Sequence, residues 1–219
     1  MDLSDEYTEY RYQLMLQLEM RHHRERADVP ETMELNKKLL ERLIDVCDYL
    51  FGGPSVAFRA MDYYYRFRAA KFRHSGPLLN EAEALSACFV IASKYESYTS
   101  HWKPTDIDII TGITPIEIAR AERRVLETLR YELSSATALD FFRAYAEWFD
   151  LDVAIGVMLC KKTLLHKEFR PFLPSLVAAA CATVLCRYSN KPWLGSRLCE
   201  PWHQPQFDNC LSLVKKLCY

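Results

Sequence analysis

Glycine is scarce, at 6 of 219 residues, which leaves few positions for tight β-hairpins. No stretch alternates apolar and polar residues with period two, so essentially no sheet is expected. Neither charge dominates: 28 Lys and Arg stand against 29 Asp and Glu, for a net charge of −1. A nucleic-acid binder carries a basic excess, so DNA and RNA are not expected partners. The longest apolar runs, near 173–186, fall short of membrane-spanning length, so no membrane association is expected. The start, MDLSDEYTEY, is acidic and polar, unlike a signal peptide. The 8 cysteines form no CxxC pair and read as reduced thiols, which places the protein in the nucleus and/or cytoplasm. His22-His23 has no Cys at ligand spacing, so neither a metal nor a cofactor is expected. A glycine-rich phosphate loop, a nucleophile elbow and an HExxH sequence are all missing, which argues against an enzyme.

What is present is helical periodicity. Tyr7, Tyr10, Leu14 and Leu18 fall on one stripe of a helix over 6–25, and Leu35, Leu39, Leu43, Val46 and Leu50 on another over 31–51. Gly52-Gly53-Pro54 breaks that pattern. Helices follow over 56–68 and 80–98, the latter with Asn80 as N-cap and Glu83 three residues on. A short helical turn is expected near 105–111. Thr114-Pro115-Ile116-Glu117 spells a capping box with Pro at the first helical position, starting a helix that runs to about Tyr131. Further helices are expected over 137–149, 151–168, 174–188 and 207–218.

The chain also repeats itself. Val56-Ala57-Phe58-Arg59-Ala60-Met61 matches Val153-Ala154-Ile155-Gly156-Val157-Met158, and Ala87-Cys88, Ile91 and Lys94-Tyr95 match Ala180-Cys181, Val184 and Arg187-Tyr188. The two matches keep order at nearly equal shifts, which points to a duplicated helical unit with its boundary near Leu133–Thr137. One helix of each unit is rich in small residues: Ala82, Ala84, Ser86, Ala87, Ala92 and Ser93 in the first, Ala178 to Ala180 and Ala182 in the second. Small side chains let neighbours approach closely, so each such helix is expected at the centre of a bundle.

Phe89-Val90-Ile91-Ala92-Ser93-Lys94-Tyr95-Glu96 resembles the signature of the cyclin box. Met61 to Phe67 resembles the family's segment ending in Asp-Arg-Phe, with Tyr65 in place of the Asp. Ala121-Glu122 through Leu126, Leu129, Tyr131 and Leu133 resembles the next helix, and Ala138 to Phe142 the opening of a second cyclin fold. Phe172 to Ala180 resembles that fold's central helix, with Pro192-Trp193 after it. The resemblance covers roughly residues 7–219 and looks most like cell-cycle cyclins of the A, B and D kind. It implies an all-α protein of two tandem five-helix cyclin folds plus an N-terminal helix: 1–30 the helix, 31–134 the first box, 135–219 the second fold.

The resemblance further implies a non-catalytic subunit that binds and activates a cyclin-dependent protein kinase in cell-cycle control, with kinase substrates or inhibitors as further partners. Lys94 and Glu122 map to the two charged residues that hold the kinase C-helix by hydrogen bonds to its backbone. Ile91, Tyr95, Leu126, Tyr131 and Leu133 map to the apolar contacts, and the N-terminal helix adds Tyr7, Tyr10 and Leu14. Many cell-cycle cyclins dock Arg-x-Leu peptides on a Met-Arg-x-x-Leu-x-x-Trp stripe. The aligned positions here are Leu35, Asn36, Leu39 and Arg42, so that groove is expected to be absent or altered. The mitotic family's tail with a destruction signal has no counterpart. Arg11-Tyr12-Gln13-Leu14 fits Arg-x-x-Leu but sits in an expected helix. The alternative is a cyclin-fold adaptor in transcription that binds a peptide or nucleic acid.

Overall fold

The computed structural model describes residues 3–27, 35–50, 53–74, 79–96, 104–189, 191 and 204–218. Those residues form ten α-helices, one 3-10 turn and no strand. The helices are α1 (Leu3–Ala27), α2 (Lys37–Leu50), α3 (Pro54–His74), α4 (Glu81–Glu96), α5 (Pro104–Thr111), α6 (Pro115–Thr128), α7 (Ala138–Phe149), α8 (Val153–Leu164), α9 (Pro174–Tyr188) and α10 (Gln204–Lys216). The 3-10 turn covers Lys167–Phe169, where the sequence had suggested α8 continuing. The chain divides into two compact units, an N-terminal one of His22–Ser135 and a C-terminal one of Met1–Arg21 with Ala136–Tyr219. Residues Leu3–Arg21 of α1 group with the C-terminal unit.

Each unit is built round its small-residue helix. In the N-terminal unit α4 packs against α2, α3, α5 and α6, and every residue from Ala84 to Ser93 is buried. In the C-terminal unit α9 packs against α7, α8 and α10, with Leu176 to Cys186 buried without a break. The repeated sequences occupy equivalent helix pairs: the first match lies on α3 and α8, the second on α4 and α9. Pro192-Trp193 lies outside the described residues.

The helix starts follow local chemistry. Thr114 accepts from the Glu117 N–H while Glu117 accepts from the Thr114 N–H at 2.9 Å, the capping box the sequence spelled. Asn80 and Glu83 exchange the same pair of bonds ahead of α4. Thr137 and Asp140 form a further box ahead of α7, and Asp152 caps α8. Such caps satisfy N–H groups that have no partner inside the helix and contribute about 1 kcal/mol each.

Helix α1 buries a face that periodicity had not marked. Its buried face is Tyr12, Met15, Glu19 and His22, whereas Tyr10 is 71% and Leu14 45% exposed. Tyr10 and Leu14 thus lie on the outer side of the helix, while Tyr12, Glu19 and His22 on the packed side have their hydrogen bonds met inside. The Tyr12 hydroxyl lies 3.1 Å from that of Tyr145, and its ring packs edge-on against Phe141 and beside Trp148.

Candidate functional site

The residues of interest in the N-terminal unit lie at the end of α4 and along the second half of α6 and the turn after it. Helix α4 is buried from Ala84 to Ser93 and surfaces in its last turn, so Lys94 and Tyr95 are exposed while Ser93 is not. Lys94 Nζ lies 2.6 Å from Glu122 Oε1, with the lysine 55% and the glutamate 16% exposed. Tyr95 is 44% exposed and Tyr131 64%; Leu126 and Leu133 are half-buried. Ile91 does not share this face. At 3% exposure it belongs to the core of its unit, because it sits on the fully buried part of α4.

Tyr131 is presented by an unusual turn. Helix α6 ends in a Schellman arrangement: the Tyr131 N–H bonds the Leu126 carbonyl at 3.0 Å, and the Arg130 N–H bonds the Glu127 carbonyl at 3.2 Å. Glycine is the usual residue at the left-handed position, yet here Arg130 (φ 53°) and Tyr131 (φ 59°) adopt it in succession. That conformation costs non-glycine residues about 1–2 kcal/mol each, so something must hold it.

The following segment supplies the hold, because all three of its carbonyls are engaged. The Tyr63 hydroxyl donates to the Leu133 carbonyl at 2.9 Å. His22 Nε2 lies 2.9 Å from the Ser134 carbonyl, and Arg59 Nη1 donates to the Ser135 carbonyl at 2.6 Å. Arg59 also pairs with Glu96 and stacks over the Tyr95 ring, 5.3 Å from its centroid. Burial pushes the Tyr63 phenol above its ordinary 10.0, against the opposing charge of Arg59, so it stays a donor at any physiological pH. The sequence reading assigned Arg59, Tyr63, His22, Ser134 and Ser135 no part in this site.

The N-terminal helix offers Tyr10 and Leu14 as exposed apolar side chains. Tyr7 lies within α1, but its side chain is outside the described set. The positions aligned with the peptide-docking stripe fall at the start of α2. Asn36 is the N-cap there, its Oδ1 accepting from the Leu39 N–H at 3.1 Å, which also explains why α2 begins at Lys37. Leu35 and Leu39 are half-buried and Arg42 is exposed. Among the described residues no cluster of three or more His, Cys, Asp or Glu has the geometry to hold a metal ion.

The family model for the cyclin N-terminal domain matches residues 10–134. Among curated proteins, the G2/mitotic-specific cyclin C13-1 of Daucus carota is 26% identical over 230 residues, covering 94% of this chain and 65% of its own length. The G2/mitotic-specific cyclin-2 of Medicago sativa is 30% identical over 188 residues, covering 79% of this chain and 54% of its own. The chain thus spans about half to two thirds of the length of these relatives. Among solved structures, a viral cyclin from herpesvirus saimiri superposes with a TM-score of 0.62 at 15% identity, over 93% of this chain and 95% of that one, a likeness of fold.

Proposed function

The chain belongs to the cyclin family, and from that premise we propose that it is a regulatory subunit that binds and activates a cyclin-dependent protein kinase and performs no chemistry itself. The observation that carries this reading is the Lys94–Glu122 pair, which joins the surfacing last turn of α4 to the middle of α6 packed beside it. A lysine ammonium has three donors and a carboxylate two acceptor oxygens. The 2.6 Å contact occupies one of each. The pair therefore presents donors and an acceptor side by side, the complement of a helix backbone's carbonyl and N–H groups. Tyr95, Leu126, Tyr131 and Leu133 surround it with apolar surface that a partner helix would cover. Pressed there, the kinase C-helix would be held where its Glu completes the catalytic Lys–Glu pair. The relatives' names support a role in cell-cycle control at G2 or mitosis; a nuclear and/or cytoplasmic location is proposed on the cysteine usage alone.

Substrate recruitment through the peptide groove is not part of this proposal. Asn36 spends its side chain on capping α2, and Arg42 replaces the flat aromatic floor that a docked Leu would need.

The test is to mix the protein with a panel of cyclin-dependent kinases and measure binding and histone phosphorylation. Lys94→Glu with Glu122→Ala is expected to weaken kinase binding by more than about 100-fold, the loss of two charged hydrogen bonds, with thermal unfolding unchanged. Normal activation by the double variant, or no kinase bound by the native chain, would refute the reading.

A further inference from the structure

On the far side of α6 from Glu122 lies an open groove of about 460 Å³, walled by α6 and the start of α4. Arg120, Arg123 and Arg124 line it together with Glu83, Glu117 and Glu127, and Leu79 and Ala121 form its floor. At 100° per residue, Arg120 and Arg124 each stand about 200° from Glu122, so this surface is distinct from the kinase-facing one.

The charges in the groove are not equivalent. Glu83 is committed to the Asn80 N–H and Glu117 to the Thr114 N–H and hydroxyl. Glu127 accepts from Arg123 at 2.8 Å. All three carboxylates are therefore engaged, and so is one of the three arginines. Arg120 lends its field to Glu117, whose pKa is lowered chiefly by the Thr114 hydroxyl and N–H and then by that charge. No ion pair within 4 Å engages Arg120 or Arg124 among the described residues. One helical turn apart, they aim two planar forks of donors at one volume.

We propose that this groove binds a phosphorylated side chain of a partner polypeptide, with Arg120 and Arg124 clamping the phosphate. A phosphomonoester dianion matches two guanidinium forks in both charge and geometry. The groove is large enough for a phosphoserine and its neighbours. Its acidic rim selects for a compact anion: a membrane or nucleic acid would press a broad sheet of negative charge onto Glu83, Glu117 and Glu127, and the chain carries no net basic excess to offset that.

The experiment is fluorescence anisotropy of the full chain with labelled peptides of one sequence, bearing serine or phosphoserine at the centre of Gly-Ser flanks. The phosphoserine peptide is expected to bind at least tenfold tighter, an advantage that shrinks with added salt and below pH 6, where the phosphate loses its second charge. Arg120→Gln with Arg124→Gln should erase the advantage, and Lys38→Gln, an exposed charge on α2, should leave it intact. Both arginines are exposed, so the variants should fold, as circular dichroism would verify; Arg120→Lys with Arg124→Lys should keep part of the advantage. Equal binding of the two peptides, or an advantage unchanged in the double Gln variant, would overturn the proposal. So would binding to phosphatidylserine vesicles that requires the same two arginines. None of these readouts involves a kinase, so the result is independent of the activation reading.

Discussion

The carboxylate of Glu19 accepts from the backbone N–H of Ser175 at 2.7 Å and from its hydroxyl at 2.8 Å, across 156 residues of chain. Helix α9 begins with Leu173 at its N-cap, which has no side chain able to bond the exposed N–H groups, and Pro174 behind it. Glu19, 1% exposed, supplies the missing cap from another helix and places its charge at the positive end of the α9 dipole. Glu19→Ala should therefore cost about 2–3 kcal/mol in urea unfolding, the loss of charged hydrogen bonds to a buried helix end. Glu19→Gln, which keeps one acceptor oxygen, should cost less than half as much. Equal costs for the two would mean that a neutral acceptor recovers nothing, and would place the whole effect in the charge rather than in the hydrogen-bonded cap.

Arg130 sits at the left-handed position of the turn after α6, with φ 53°. Glycine adopts this conformation without the Cβ penalty, so Arg130→Gly should stabilise the chain by about 0.5–1 kcal/mol despite its larger unfolded-state entropy. The urea midpoint should rise. A fall would mean that the Arg130 side chain contributes more than its backbone costs.

Gly156 lies inside α8, where Ala would ordinarily be better by about 1 kcal/mol. Here a Cβ would overlap the ring of Phe142, which is itself fully buried on α7. Gly156→Ala is expected to destabilise by at least about 2 kcal/mol, reversing the usual sign. Combining it with Phe142→Leu should recover part of the loss, and strictly additive losses would count against the clash.

The protonated forms of several buried acids are favoured by the fold. Burial raises the Cys88 thiol above its ordinary 9.0 and the Tyr63 and Tyr64 phenols above 10.0. A hydrogen bond with Cys160, then burial, raises Cys181. Below about pH 9 these groups are protonated both folded and unfolded, and their contribution is fully present. Above it they ionise first in the unfolded chain, so stability should fall steadily from pH 9 upward in urea titrations. Correspondingly, Cys88 and Cys181 should resist a thiol reagent at pH 8 until the chain unfolds. Rapid labelling of either in the native state would contradict this.

Local signals carried a good deal. The Thr114–Glu117 and Asn80–Glu83 boxes form where their residues spell them, because a cap needs only groups three positions apart. The small-residue segments at 84–93 and 178–182 became the centres of their units, since only such helices let neighbours approach from every side. The Lys94–Glu122 pair was legible only through the family resemblance; nothing in the spacing of two residues on different helices implies a 2.6 Å contact.

Other features had no sequence trace. Periodicity marked Tyr10 and Leu14 as one stripe of α1 but did not show that the opposite face, with Tyr12 and Glu19, is the buried one; a polar group is cheap to bury once a distant partner completes its hydrogen bonds. In the same way, Tyr63 and Arg59 on α3 and His22 find the carbonyls of Leu133, Ser135 and Ser134 only when the helices pack. Helix positions, helix starts and the twofold repeat were thus settled by residues close together in the chain, through periodicity and capping. Which face of α1 is buried, how the Arg130-Tyr131 turn is held and which arginines are left to meet an anion depended on groups far apart in the chain, whose bonds exist only in the packed structure.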